Sequence, residues 1–492
     1  MATTPVAQTC VTTPPRRTSP ELRLLAEQMF ARAAGAPLVA GNTVRILRDA
    51  GDNYPAWLAA IAGARRSVLF ENYIIANDAT GREFAAALTE RARAGVAVQV
   101  IYDWMGGLGA GTRSLLQPLL EAGGIVRCFN PPRYDSPFGW LMRDHRKMVA
   151  VDGAVGYVTG LCVSSKWLGD PARGIAPWRD TGVEIRGPAV TDIERAFTQT
   201  WAAAGGEDAA ELGVDHDTAV APAGEVLVRV LASQPTIAGL YRLDQMIAAM
   251  ARDTLWLTDA YFVGFAPYVQ ALRAAARDGV DVRLLVPGTS DVPMLAHMSR
   301  SGYRPLLEAG IRVFEWNGAM LHAKTAVADC RWARVGSSNL NLASWINNYE
   351  LDVAIDDATC ARQMQDMYEE DLANATEIML SSRRRIRPSV SKPHHAAGSG
   401  GRAARAAAGA LRIGNTVGAA LGNRRILGPA ESGMMFSVAL GFLLFAVIAL
   451  LAPLVVSVPL ALLALWIAVT LLVRAWRMRK GGAEDEQGAG SD

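Results

Sequence analysis

The sequence predicts an α/β protein. It should consist of two duplicated α/β/α sandwich halves related by a pseudo-twofold axis, followed by a C-terminal transmembrane helical hairpin. Three observations predict this. Apolar strand-like runs alternate with amphipathic helical segments over most of the 492 residues. The pattern then repeats: Pro118-Leu119-Leu120-Glu121-Ala122-Gly123 recurs letter for letter at 305–310. Finally, no charged residue occurs from Ser432 to Val473, which is length enough for two spans of about 20 residues each.

Residues 1–40 open the chain. The first 20 are polar, rich in Thr and Pro, and read as disordered, with no apolar signal core. A helical apolar pattern follows from Pro20. The first half is assigned to 41–205. It reads as strands at Val44–Leu47, Ser67–Ile75, Val96–Tyr102 and Ile125–Phe129, with helices at Tyr54–Ala64, Gly81–Ala94 and Leu115–Ala122 between them. Residues 206–222 are acidic and aperiodic, a linker in which His216 reads as solvated.

The second half is assigned to 223–382. Ala94-Gly95-Val96-Ala97-Val98 returns as Asp278-Gly279-Val280-Asp281-Val282, and Glu71-Asn72-Tyr73 is matched with Asp259-Ala260-Tyr261. Residues 383–430 are an Arg-, Gly- and Ala-rich linker suited to an anionic lipid surface. The hairpin is placed at 431–475, turning at Pro453–Pro459, and a polar tail occupies 476–492. Arginines flank the apolar run on both sides, which predicts both ends in the cytoplasm and an inner-membrane location for the protein.

Two stretches carry the chemistry. They are His145-Arg146-Lys147-Met148-Val149-Ala150-Val151-Asp152 and His322-Ala323-Lys324-Thr325-Ala326-Val327-Ala328-Asp329, both reading H-x-K-x-x-x-x-D. The chain has lysine only at 147, 166, 324, 392 and 480, and six histidines. Chance would give about 0.06 H-x-K pairs, so two matched copies are a strong signal. In a strand, His and Lys two apart share a face. The candidate catalytic set is therefore His145, Lys147, Asp152, His322, Lys324 and Asp329. Within it the two aspartates are assigned to the turn after each strand, not to substrate. Duplication about a twofold brings like surfaces together, which predicts one site shared by both histidines.

Two imidazoles can divide a phosphodiester transfer. One attacks phosphorus while the other protonates the leaving alcohol, and the lysines balance charge on the phosphoryl oxygens. Each imidazole needs an acceptor on its other nitrogen. Asp180 and Glu350 stand at matching strand starts after the motifs. No metal-ligand spacing occurs among the five cysteines and no cofactor motif is present.

On these motifs the chain resembles the phospholipase D superfamily, and most closely the bacterial cardiolipin synthases of the form lacking N-terminal membrane anchors. The resemblance spans about 42–385. Gly336-Ser337-Ser338-Asn339 matches the family's G-S-x-N, which marks Ser337 and Asn339 as phosphate-binding support. The resemblance implies that Asp180 and Glu350 hold the histidines and that His145 is the nucleophile. The first half departs from the pattern, with Thr159-Gly160-Leu161-Cys162 where an asparagine usually ends the motif.

The expected function is phosphatidyl transfer between phosphatidylglycerol molecules to give cardiolipin, through a phosphohistidine. The expected partners are an anionic phospholipid substrate and the membrane. A hydrolytic phospholipase D is the alternative, and a nucleic-acid phosphodiesterase is disfavoured by the uncharged run. No nucleic-acid partner is expected, and the sequence carries no signal for oligomeric state.

Overall fold

The computed structural model describes residues 20–132, 141–206, 212, 220–235, 237–380 and short stretches between 440 and 472. The N-terminal 19 residues, most of the 206–222 linker with His216, the 383–430 linker and the polar tail lie outside the described residues. So does much of the expected hairpin. Helical fragments are described there, and Leu450 and Leu451 on them are 82% and 81% exposed. Among the described residues no helix is long and apolar enough to cross a membrane.

Among the described residues sixteen strands form one continuous sheet. In the first half they are β1 (Val39–Arg48), β2 (Ser67–Asn72), β3 (Ala97–Asp103), β4 (Ile125–Phe129), β5 (Arg143–Asp144), β6 (Lys147–Val151), β7 (Val155–Thr159) and β8 (Thr181–Arg186). The second half contributes β9 (Val226–Ser233), β10 (Thr254–Thr258), β11 (Asp281–Pro287), β12 (Arg312–Trp316), β13 (Thr325–Ala328), β14 (Trp332–Gly336), β15 (Asn348–Asp356) and β16 (Ala375–Ile378).

The order β1-β8-β7-β6-β2-β3-β4 in one half is repeated as β9-β15-β14-β13-β10-β11-β12 in the other, with β16 added at the far edge. The outer three strands of each half are parallel and the inner ones antiparallel. The halves join where β1 and β9 pair antiparallel. A register shift interrupts that junction between Val39 and Asn42. The buried Asn42 amide fills it, donating to Val39 O at 2.9 Å and Val226 O at 3.3 Å. Its Oδ1 accepts from Ala189 N at 2.9 Å. The buried bulge thus keeps its backbone groups satisfied.

Helices cover the sheet as the alternation predicts. The helix Ala79–Arg93 is capped by Asp78, whose carboxylate accepts from Gly81 N. The segment expected as one helix at Leu115–Ala122 is two short ones, Thr112–Leu115 and Gln117–Glu121, because Pro118 cannot continue a preceding turn. Helices Ala189–Ala203 and Ala358–Ala373 carry Phe197, Trp201, Met364 and Tyr368 into a core built from both halves. Each half also keeps its own core, the first around Trp57 and Phe84, the second around Tyr268 and Trp345. Burying such side chains contributes about 1.5–3 kcal/mol each.

The internal repeat is one residue out of step with the sheet in one place. Glu71 pairs with Met148, the residue after Lys147, and Thr258 pairs with Thr325, the residue after Lys324. Thr258 therefore answers Glu71, and Asp259 answers Asn72. The sequence match of Glu71 with Asp259 is corrected by this register.

Candidate active site

The motif strands begin at Lys147 and Thr325, so His145 and His322 lie just ahead of them and not within a strand. Each histidine is docked on the opposite half. β5 pairs parallel with the start of β15, Asn348 against Arg143 and Tyr349 against Asp144. His145 N then donates to Tyr349 O at 2.8 Å. On the other side Leu321 bridges Arg179, and His322 N donates to Arg179 O at 2.7 Å. The residue that follows each acceptor is the carboxylate: Glu350 after Tyr349, Asp180 after Arg179.

The result is a crossed pairing. His145 Nδ1 lies 2.9 Å from Glu350 Oε2. His322 Nδ1 lies 2.7 Å from Asp180 Oδ2. Each carboxylate holds the histidine of the other half through Nδ1.

The carboxylates are fixed in turn. Glu350 Oε2 accepts from Ser337 Oγ at 2.6 Å, and Oε1 accepts from Asn348 Nδ2 at 3.1 Å. Asp180 Oδ2 accepts from Trp167 Nε1 at 3.1 Å and Oδ1 from Thr181 N at 2.9 Å. Burial works to raise both carboxylates. The facing histidine and nearby lysine outweigh it, with the Ser337 hydroxyl helping at Glu350 and the Thr181 amide at Asp180, and both groups are held below the usual range. They stay ionised.

The imidazoles shift the other way. Burial lowers His145, and Lys147 adds to that against the pull of Glu350. Burial and then Lys324 push His322 down to about 3, with Asp180 opposing. Lys324 Nζ sits 2.9 Å from Nδ1 and 3.1 Å from Nε2 of that ring and also donates to His322 O. Lys147 Nζ donates to His145 O at 2.6 Å. Both rings are thus shifted toward the neutral form, with Nδ1 of each directed at a carboxylate.

The Ser337 hydroxyl donates to Glu350 Oε2 and accepts from Leu351 N at 2.9 Å. Asn339 is buried, and its Oδ1 has no hydrogen-bond partner. Sheet register makes Thr159-Gly160-Leu161-Cys162 the equivalent of Gly336-Ser337-Ser338-Asn339, because Thr159 pairs with Gly182 and Gly336 with Asp352, each two residues after a carboxylate. Gly160 thus stands where Ser337 does. A Cβ there would collide with Asp180 Oδ1, and the Trp167 indole supplies the hydrogen bond that the serine gives in the other half. Cys162 is buried, and burial raises its thiol.

Asp152 and Asp329 are not in this cluster. They sit at the far ends of their strands, about 17 Å from the lysines at strand rise. Asp152 and Gly153 both have positive φ in a two-residue hairpin turn, closed by Ala154 N donating to Val151 O at 3.0 Å. The Asp152 carboxylate accepts from the amides of Arg65, Arg66 and Ser67, and Asp329 accepts from those of Arg252, Asp253 and Thr254.

Sequence reasoning missed four aromatic residues at the site. The Tyr73 ring stands 5.1 Å from His145, and Tyr261 stands 5.8 Å from His322. Trp167 and Trp178 lie 5.3 and 5.9 Å from His322. The repeated tyrosine was a usable signal; the tryptophans sit in a loop without periodicity. Among the described residues no group of three or more His, Cys, Asp or Glu is placed to hold a metal ion.

Known proteins resemble this chain. A family model described as cardiolipin synthase, PLD-like domain matches residues 244–372. Cardiolipin synthase A of Pseudomonas fluorescens is 33% identical over 361 residues, covering 71% of this chain and 73% of that one. Cardiolipin synthase of Alkalihalophilus pseudofirmus is 30% identical over 353 residues, covering 70% and 69%. Among solved structures, phosphatidylserine synthase of Haemophilus influenzae superposes with a TM-score of 0.55 at 13% identity, covering 71% of this chain and 92% of that one, a likeness of fold.

Proposed function

This chain belongs to the cardiolipin synthase family, and from that premise we propose that it is a phosphatidyltransferase making cardiolipin from phosphatidylglycerol. The observation that carries the mechanism is the crossed pair, His145 on Glu350 and His322 on Asp180. An imidazole whose Nδ1–H is held by an ionised carboxylate presents a basic Nε2. His145 Nε2 attacks phosphorus, the N–P bond forms and the bond to glycerol oxygen breaks. His322 gives that oxygen its proton. His322 is held toward the neutral form when the site is empty, so it takes up a proton from solvent as the substrate binds, and the phosphodiester anion stabilises the imidazolium beside it.

In the second half the hydroxyl of another lipid attacks phosphorus. Its proton passes to His322 Nε2, the N–P bond breaks and its electron pair returns to His145. Lys147 and Lys324 neutralise charge on the phosphoryl oxygens as it develops. The side chains supply both nucleophile and acid, so these steps draw only on this chain.

The uncharged run 432–473, with arginines on both sides, anchors the chain in the inner membrane with both ends and the catalytic halves in the cytoplasm. One assay tests the whole reading. The full chain in membranes is given phosphatidylglycerol labelled in its glycerol headgroup, and the lipids are separated. Cardiolipin with free glycerol is expected; phosphatidic acid as the sole lipid product would make the protein a hydrolase.

A further inference from the structure

One loop breaks the symmetry of the site. Between β7 and β8 the chain runs through 160–180, whereas between β14 and β15 it needs only 337–347. The extra residues form a closed hairpin. Trp178 N donates to Trp167 O at 3.2 Å, Asp170 N to Ile175 O at 2.8 Å and Ile175 N back to Asp170 O at 2.9 Å. Gly169 makes the bend with φ +71, and a Cβ there would run into the Ile175 carbonyl, so the loop is closed by backbone contact.

Both feet of this hairpin are tryptophans, and both rings lie on His322. Trp167 meets it edge-on at 5.3 Å and is buried. Trp178 lies 5.9 Å away and is half-buried. Tyr261 stands on a third side at 5.8 Å. Among the described residues His145 has one aromatic neighbour, Tyr73, and its side chain is 13% exposed against 6% for His322.

We propose that the Trp167–Trp178 hairpin forms the acceptor subsite, seating the glycerol carbons of the incoming lipid alcohol and keeping water from His322 Nε2. The inference rests on the phosphatidyltransferase reading. Water and a lipid hydroxyl are equivalent as nucleophiles: either forms the new P–O bond, gives its proton to His322 and displaces His145. A site can separate them only through the carbon attached to the lipid oxygen. Ring faces offer contact area to that carbon and no strong hydrogen-bonding group to hold a water in its place.

The test is the product ratio of the full chain acting on phosphatidylglycerol vesicles, with cardiolipin, phosphatidic acid and glycerol all measured. Trp178→Ala should raise phosphatidic acid relative to cardiolipin about tenfold, the scale of discrimination a lost apolar contact commands. Glycerol release should continue, because the first half-reaction does not require the acceptor. Trp178→Phe keeps a ring and should keep the wild-type ratio, which also controls for misfolding. A Trp178→Ala protein with the wild-type ratio, whatever its total rate, overturns the proposal. Wild-type protein yielding only phosphatidic acid would instead overturn the transferase reading beneath it.

Discussion

The two halves share a strand order and a motif, yet they equip their histidines differently. Glu350, which holds His145, is gripped by a serine from a short loop and by an asparagine at the start of its own strand. Asp180, which holds His322, is gripped by an indole from a long one. Beside Lys324 stands the buried carboxyl of Asp259, where Lys147 has the Asn72 amide. A twofold scaffold delivers two equivalent imidazoles; the unequal surroundings can then assign them unequal tasks. His145 is the more open ring, suited to attack. His322 is the enclosed one, suited to moving a proton.

The sharpest way to break this comparison is to remove each ring. His145→Ala and His322→Ala should both abolish cardiolipin formation, each by about a thousandfold or more. A phosphodiester substrate with a leaving group that needs no proton separates them. On it, His322→Ala should still give a burst of released leaving group and an alkali-stable, acid-labile label on residue 145, whereas His145→Ala should give neither. A burst in His145→Ala alone would reverse the roles.

The crossing predicts a pH effect with a definite sign. Glu350 raises the His145 pKa, so Glu350→Gln should lower it further. The acid limb of kcat/KM, where the nucleophile becomes protonated, should move to lower pH in that variant, while the plateau falls about a hundredfold or more through loss of ring orientation. An acid limb that moves upward would contradict the pairing. Asp180→Gln is a poor control here, since Asp180 belongs to the other ring.

The lysines offer a smaller contrast. Burial lowers Lys324 to about 8, while Asp180 and Asp259 raise it. Activity should therefore decline as pH rises through about 8, and Asp259→Asn should bring that alkaline limb to lower pH. Asn72→Asp adds a carboxyl beside Lys147 and should leave the limb set by Lys324 near its original place. Lys147→Arg and Lys324→Arg should each cost about tenfold or more, because a planar fork does not replace a compact ammonium.

Much of this was legible in the chain. A protein that spells its cations as arginine and keeps lysine at two matched places advertises its motifs. The duplication and the outer strands followed from periodicity. The partner of each histidine did not. Sequence order sets Asp180 after His145 and Glu350 after His322, whereas the pairs that form join residues 205 and 142 apart. That choice is made by β5 lying on β15 and by Arg179 meeting Leu321, contacts between halves that local propensity does not encode. The one-residue slip of Asp259 against Asn72 has a similar origin, since equivalence in a sheet is set by register. Trp167 and Trp178 gave no periodic signal because they stand in a loop.

The smallest effect belongs to the motif aspartates, and it tests whether they belong to the site at all. Asp152 accepts three backbone amides at 2.7–2.9 Å and ties the β6–β7 turn to the start of β2. Burial works to raise its pKa, but the amides of Ser67, Arg66 and Arg65 outweigh that and hold it below the usual value. A depressed carboxylate contributes stability that is present above its unfolded pKa and lost as pH falls through the folded one. Asp152→Ala should therefore lower stability by about 1–3 kcal/mol at neutral pH, as three amides lose their acceptor. The deficit relative to wild type should shrink as pH falls below about 4, the unfolded value. Denaturant melts at neutral and acid pH measure both. The kcat of the folded variant should stay near wild type, because the carboxylate is a whole strand away from either ring. A variant that melts normally but turns over a hundredfold more slowly would return Asp152 to the catalytic set and undo the division between the chemical end and the turn end of each motif.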